Sequence, residues 1–150
     1  MQAFATFLVC IASYDVWFYI VHRLLHVPWL YRRFHFQHHQ KSHPTWQDTL
    51  TAHSAENCIS GLGVFLPLFL TNCSIHGCFS AWLYCFARGF ARHDARCAFL
   101  VGTHHLVHHT QPDTNYSAFY IDWLCGTTAT QKLSASFSAR PLLISVWHFE

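Results

Sequence analysis

At 150 residues the chain is long enough for one compact domain and too short for two of ordinary size. It is 52% hydrophobic and 17% aromatic with 11% charged residues, against about 25% charged in ordinary soluble domains, which excludes a well-solvated surface and points to a membrane. A net charge of +2 excludes the strong basic field of a nucleic-acid-binding protein, so no nucleic-acid partner is expected.

Residues 3–21 form the first apolar run, interrupted by Asp15 and a few small polar groups. Its length matches the roughly 20 residues a helix needs to cross a hydrocarbon core of about 30 Å. It has neither a basic start nor an A-x-A cleavage pattern, so it reads as a span rather than a cleaved signal. Arg23, Arg32, Arg33 and Lys41 follow closely, which predicts a cytosolic C-terminal end. The second apolar stretch, 58–87, is interrupted at 71–74. As one straight helix it would run about 45 Å, too long for a single crossing. Arg88, Arg92 and Arg96 follow it, so both ends face the cytosol and a hairpin that enters and returns is expected. Seven scattered cysteines without a C-x-x-C pair argue against a disulfide framework or a zinc ribbon and fit a reducing or bilayer setting. After Gly126 the chain is rich in Ser, Thr and Ala, then weakly apolar, with no readable period.

Histidine is the anomaly: 14 imidazoles against 7 carboxylates, too few acids to serve them, so a metal is the natural partner. His22 and His26 are spaced i, i+4. His35, His38 and His39 are spaced i, i+3, i+4, as are His105, His108 and His109. On an α-helix these offsets share a face, while adjacent rings diverge by about 100°. One ring of each adjacent pair can then serve one ion and its neighbour a second. Eight convergent imidazoles exceed the four ligands of a tetrahedral ion, so two metal ions are expected. The order of apolar runs and clusters brings all three clusters to one membrane face. Asp15, Tyr19, His22 and His26 form a polar stripe on the first span. Asp15 is expected either to hold a ligand imidazole from behind or to hydrogen-bond between helices.

The sequence D-x-x-x-Y-x-x-H-R-L-L-H from Asp15, two H-x-x-H-H boxes, His53 to Glu56, and a trailer of Asn115, Tyr116, Asp122, Trp123, Gly126 and Thr127 resembles the fatty acid hydroxylase/sterol desaturase superfamily. The resemblance covers roughly residues 15–128 and implies an all-α, integral membrane helical bundle with a cytosol-facing, histidine-rich cap holding a di-metal site. It implies two iron ions, O2 as co-substrate, a fatty acyl or sterol substrate that is hydroxylated or desaturated, and a cytochrome b5-type electron donor. It also implies an endoplasmic-reticulum membrane if the source is eukaryotic. Carried over residue by residue, the expected ligands are His22, His26, His35, His38, His39, His105, His108 and His109, with His93 as the additional histidine that follows the second hairpin. His53 is left outside the set, His104 reads as a neighbour, and His43, His76 and His148 belong to no box. Members of that family usually carry more membrane-spanning chain before the first box. Residues 1–128 are therefore read as one domain, short at its N-terminus, and 129–150 as an unassigned tail.

Rival chemistries are weaker. With Glu56 and Glu150 the only glutamates, a carboxylate-bridged di-iron bundle is excluded. Arg23 stands where a zinc protease of the H-E-x-x-H type needs its glutamate. A non-catalytic relative that keeps the boxes, or a membrane metal-binding or transport protein, is the alternative.

Overall fold

The computed structural model describes residues 1–130; His148 and nearly all of the unassigned tail lie outside the described residues. Helix α1, Gln2–Leu25, holds no glycine or proline and runs unbroken for 24 residues. It stops at Pro28, whose ring holds Val27 extended (φ −63°, ψ 132°) and starts the short α2, Pro28–Leu30. The second histidine box is not the continuous α-helix expected. A π-turn, Tyr31–His35, closes with Phe36 N–H on the Tyr31 carbonyl at 2.8 Å and gives way to a 3-10 turn, His38–Gln40. Another 3-10 turn, Trp46–Leu50, is closed by a Thr45–Asp48 capping box.

The interruption expected in the second apolar stretch is present: Thr71 is extended and α5, Ile75–Arg92, begins after it. The leg before it is not one helix but α3, Ser54–Gly61, a 3-10 turn at Leu62–Val64, and α4, Leu66–Leu70. The reason is visible at α1. Gly63 lies so near Trp17 that a Cβ would overlap the indole. Two backbone carbonyls around the break are taken up by α1, Gly63 by Ser13 Oγ and Ile59 by Trp17 Nε1, both at 2.8 Å. Helix α5 lies along α1, and Gly77 admits this approach, since a Cβ there would run into the Ala3 carbonyl. The small core between these elements is Cys10, Val64, Cys78, Ala81 and Cys85, with Phe7, Leu68 and Trp82 packed around it. No strand occurs among the described residues.

Phe4, Leu8, Val16, Ile20 and Leu24 of α1 and Phe79, Leu83 and Phe86 of α5 turn outward. Among the described helices α1 alone is long and apolar enough to cross a membrane, with mean hydropathy 1.7. Short helices α6, Ala98–Val101, α7, His104–Thr110, and α8, Phe119–Leu124, complete the described chain.

Candidate metal centre

All nine histidines singled out above lie together, in two groups: His22, His26, His35, His39 and His108, and His38, His93, His105 and His109. Within each group the candidate ligand nitrogens lie within 4.8 Å of one another. Each i, i+4 pair stays in one group (His35 with His39, His105 with His109), and the i+3 member goes to the other. The adjacent pairs His38/His39 and His108/His109 are therefore each divided between the groups. The elements involved are the C-terminal ends of α1 and α5, the π and 3-10 turns, and α7.

In the larger group five Nε2–Nε2 separations are 3.0–3.1 Å: His22–His35, His35–His26, His35–His39, His26–His108 and His39–His108. Hydrogen bonding among neutral imidazoles cannot account for them. His22 Nδ1 donates to the Tyr116 carbonyl and His108 Nδ1 donates to the Thr114 carbonyl at 2.6 Å. A carbonyl only accepts, so both rings carry their proton on Nδ1 and present a bare Nε2. At most three protons remain for five contacts, and some nitrogen lone pairs must face each other. A cation at their focus removes the repulsion. Ligands about 90° apart on an ion bonded at about 2.1 Å lie about 3.0 Å from each other, which is the spacing found. The donor set therefore fits a metal ion.

The second group repeats the pattern. His93 Nδ1 donates to the Gly89 carbonyl at 2.8 Å and its Nε2 sits 3.1 Å from both His38 and His105. All four rings are buried, and both nitrogens of His109 are buried without a close hydrogen-bond partner among the described residues.

Burial keeps these rings neutral. It drives His26 down to about 4, and His39 and His109 to about 3, with neighbouring imidazoles adding to the effect. Folded values below the unfolded value of about 6.5 mean that this contribution to stability is complete above pH 6.5 and is lost as pH falls through 6.5 towards 4. The metal-free chain is thus expected to unfold progressively more easily between pH 6.5 and 4.5. The slope is at most about 1.4 kcal/mol per pH unit for each buried ring, with little change between pH 7 and 8. Thermal unfolding followed by circular dichroism reads this directly, and a flat profile down to pH 4.5 would contradict it.

Two carboxylates that carry much of the site were not recognisable as such from sequence. Glu56, known only as the end of the His53 motif, is buried on α3, with Oε1 2.8 Å from His35 Nδ1. Burial pushes this carboxyl up to about 8; a dication on the far nitrogen of His35 would favour its ionised form. Glu56→Gln keeps the shape and removes the charge, and is expected to lower metal affinity about 10–100-fold in a chelator competition. Unchanged affinity would show that the contact is packing alone. His53 serves this arrangement indirectly, its Nδ1 accepting from Ala55 N–H at the start of α3.

Asp122 is the second, fully buried. Its carboxylate accepts from Tyr116 N–H at 2.8 Å, Ser117 N–H at 2.7 Å, Thr127 Oγ1 at 2.6 Å and His104 Nε2 at 3.1 Å. Burial works to raise its pKa, yet these hydrogen bonds together hold it below the usual carboxylate range. His104 is therefore occupied away from both groups. Asn115, at φ 57°, holds the same loop through the His104 carbonyl and Ala129 N–H.

Of the two roles open to Asp15, the structure shows the helix-to-helix one. Its carboxylate takes the Arg88 guanidinium and the Tyr120 hydroxyl and, among the described residues, no imidazole. His43 and His76 are exposed.

The fatty acid hydroxylase family model matches residues 7–127, and the chain belongs to that family. It is 38% identical over 72 residues to a fatty acid hydroxylase of Mycosarcoma maydis, covering 47% of this chain and 19% of that protein. It is 30% identical over 131 residues to a very-long-chain aldehyde decarbonylase of Oryza sativa subsp. indica, and 29% over 131 residues to a methylsterol monooxygenase of Arabidopsis thaliana. Each of these two matches covers 75% of this chain and 48% of the relative. The chain thus spans half or less of the length of these relatives. No solved structure matches it.

Proposed function

We propose that this chain forms the metal-binding part of an O2-dependent lipid oxidoreductase that hydroxylates or desaturates a fatty acyl chain or sterol. Two iron ions are held, one by His22, His26, His35, His39 and His108, the other by His38, His93, His105 and His109. The observation that carries this reading is the convergence of Nε2 atoms at 3.0–3.1 Å with Nδ1 protons committed to carbonyls. Imidazole suits iron. The relatives' names, a fatty acid hydroxylase, a methylsterol monooxygenase and an aldehyde decarbonylase, support a lipid as substrate.

When bound, paired irons supply the O2 chemistry needed to break an unactivated C–H bond, which side chains alone cannot do. The chain's residues hold, orient and insulate. Tyr116, Thr114 and Gly89 carbonyls, with Glu56, keep Nε2 of their histidines turned inward. Apolar side chains of α1 and α5 give a lipid tail its approach from a bilayer that α1 crosses, the histidine end facing the cytosol. In a eukaryotic cell that bilayer is the endoplasmic-reticulum membrane, and a cytochrome b5-type protein delivers the electrons.

The test is iron content and reductant-dependent O2 consumption of the detergent-purified chain from iron-replete cells. About two irons per chain with O2 uptake is the expected result. A folded chain without iron overturns the proposal. Iron without O2 uptake assigns it to a metal-binding, non-catalytic relative.

A further inference from the structure

Helix α8 is amphipathic the wrong way round for water. Its polar groups turn into the protein: Asp122 is fully buried, and Tyr120 donates its hydroxyl to the Asp15 carboxylate at 2.8 Å. Phe119, Tyr120, Trp123 and Leu124 share the outer face of the helix. Phe119 is 60% exposed, Trp123 57% and Leu124 70%, and no charged residue stands among them. A surface helix in water carries its charged and polar residues on that side.

The height of α8 along α1 says what covers this face. Gln2, at the end of α1 away from the histidines, donates to the Asn72 carbonyl. From there, about 30 Å of hydrocarbon takes about 20 helical residues and ends next to the exposed Arg23. Helix α8 joins α1 short of that point. Ser117 Oγ donates to the Asp15 carbonyl at 2.7 Å, and Tyr116 and Ile121 cluster with Tyr19. Asp15 and Tyr19 lie about 12 and 6 Å below Arg23 along the axis. The loop leading into α8 also meets the demand a bilayer makes, that backbone polar groups find partners inside the protein. Tyr116 and Ser117 N–H go to Asp122, Asn115 N–H goes to the Thr127 carbonyl, and the Tyr116 carbonyl goes to His22.

Resting on the reading that α1 crosses a bilayer, we propose that α8 dips into the leaflet at the histidine end, its outer face against phospholipid acyl chains. Tyr120 and Trp123 are the side chains enriched where hydrocarbon meets headgroups. The loop that presents the Tyr116 carbonyl to His22 is thereby seated in the membrane, and the histidine site is bounded by lipid on this side.

The experiment places the photoreactive residue p-benzoylphenylalanine in place of Leu124 in the full chain, held in nanodiscs of phosphatidylcholine tritiated in its acyl chains. The same replacement of Leu8, exposed on α1, reports the crossing itself. Replacement of Gln111, exposed next to the hollow that Pro112 shares with His26 and Arg32, reports a level beyond Arg23. After irradiation, label that survives alkaline methanolysis is joined to an acyl chain and not to a headgroup. Leu8 and Leu124 variants are expected to retain label within about threefold of each other, and about tenfold or more above the Gln111 variant. Phe119, replaced in the same way, carries the same expectation and covers a failure of the Leu124 variant to fold. Retained label at Leu8 with none at Leu124 and Phe119 overturns this proposal alone, as does cross-linking of Leu124 mainly to a second copy of the chain. No retained label at Leu8 removes the crossing reading, and this one with it.

Discussion

Alanine at both His108 and His109 is expected to take iron from about two per chain to below one, with helical content retained. His108 belongs to the larger group and its Nε2 meets those of His26 and His39 at 3.1 Å. His109 belongs to the smaller group, its ring buried among those of His38, His93 and His105. One adjacent pair thus contributes to both groups, which is why two substitutions reach both ions. The single variants should differ. His109→Ala leaves three imidazoles in its group and should release that ion, whereas His108→Ala leaves four and should weaken its ion without emptying the site. His43→Ala and His76→Ala, at exposed positions outside both groups, should leave iron unchanged. Metal analysis after gel filtration reads all five variants, and full iron in the double variant would dismiss the two-group assignment.

Asp122→Ala is expected to destabilise the folded chain by about 3–5 kcal/mol, a large share of the stability of a single domain. The carboxylate is fully buried and accepts hydrogen bonds from Tyr116 and Ser117 N–H, Thr127 Oγ1 and His104 Nε2. Removing it leaves those donors without a partner in a place water does not reach. The damage extends to the metal site, because the Tyr116 carbonyl fixes the tautomer of His22. Iron affinity should therefore fall along with the thermal midpoint. Asp122→Asn keeps the shape but lacks the charge and one acceptor, and should lie between. An Asp122→Ala chain with unaltered unfolding and full iron would show that the loop is held by other means.

Spacing in the chain carried a great deal. Two histidine boxes at i, i+3 and i+4, with a pair at i and i+4, announced two diverging sets of rings, because side-chain direction within one or two turns is set by local geometry. The apolar runs and the interruption at 71–74 placed α1 and the start of α5, and the box pattern with its Asn115–Thr127 trailer pointed to the family. Local geometry stops at the end of each element. Contacts between residues far apart in sequence were not legible: Glu56 behind His35, and the Tyr116 carbonyl behind His22 across 94 positions. Asp15 shows the same limit from the other side, since its partner Arg88 lies 73 residues away and only the packing of α5 on α1 brings them together.

The sequence by itself determined the kind of chemistry: an all-helical, apolar chain with imidazoles enough for two ions and too few acids to occupy them otherwise. Tertiary structure alone decided the five-and-four division of the histidines and the carbonyls and carboxylate that set their tautomers. Periodicity orients a side chain relative to its own helix axis, but which atoms meet depends on how separate helices cross, and that is settled only when the whole chain packs.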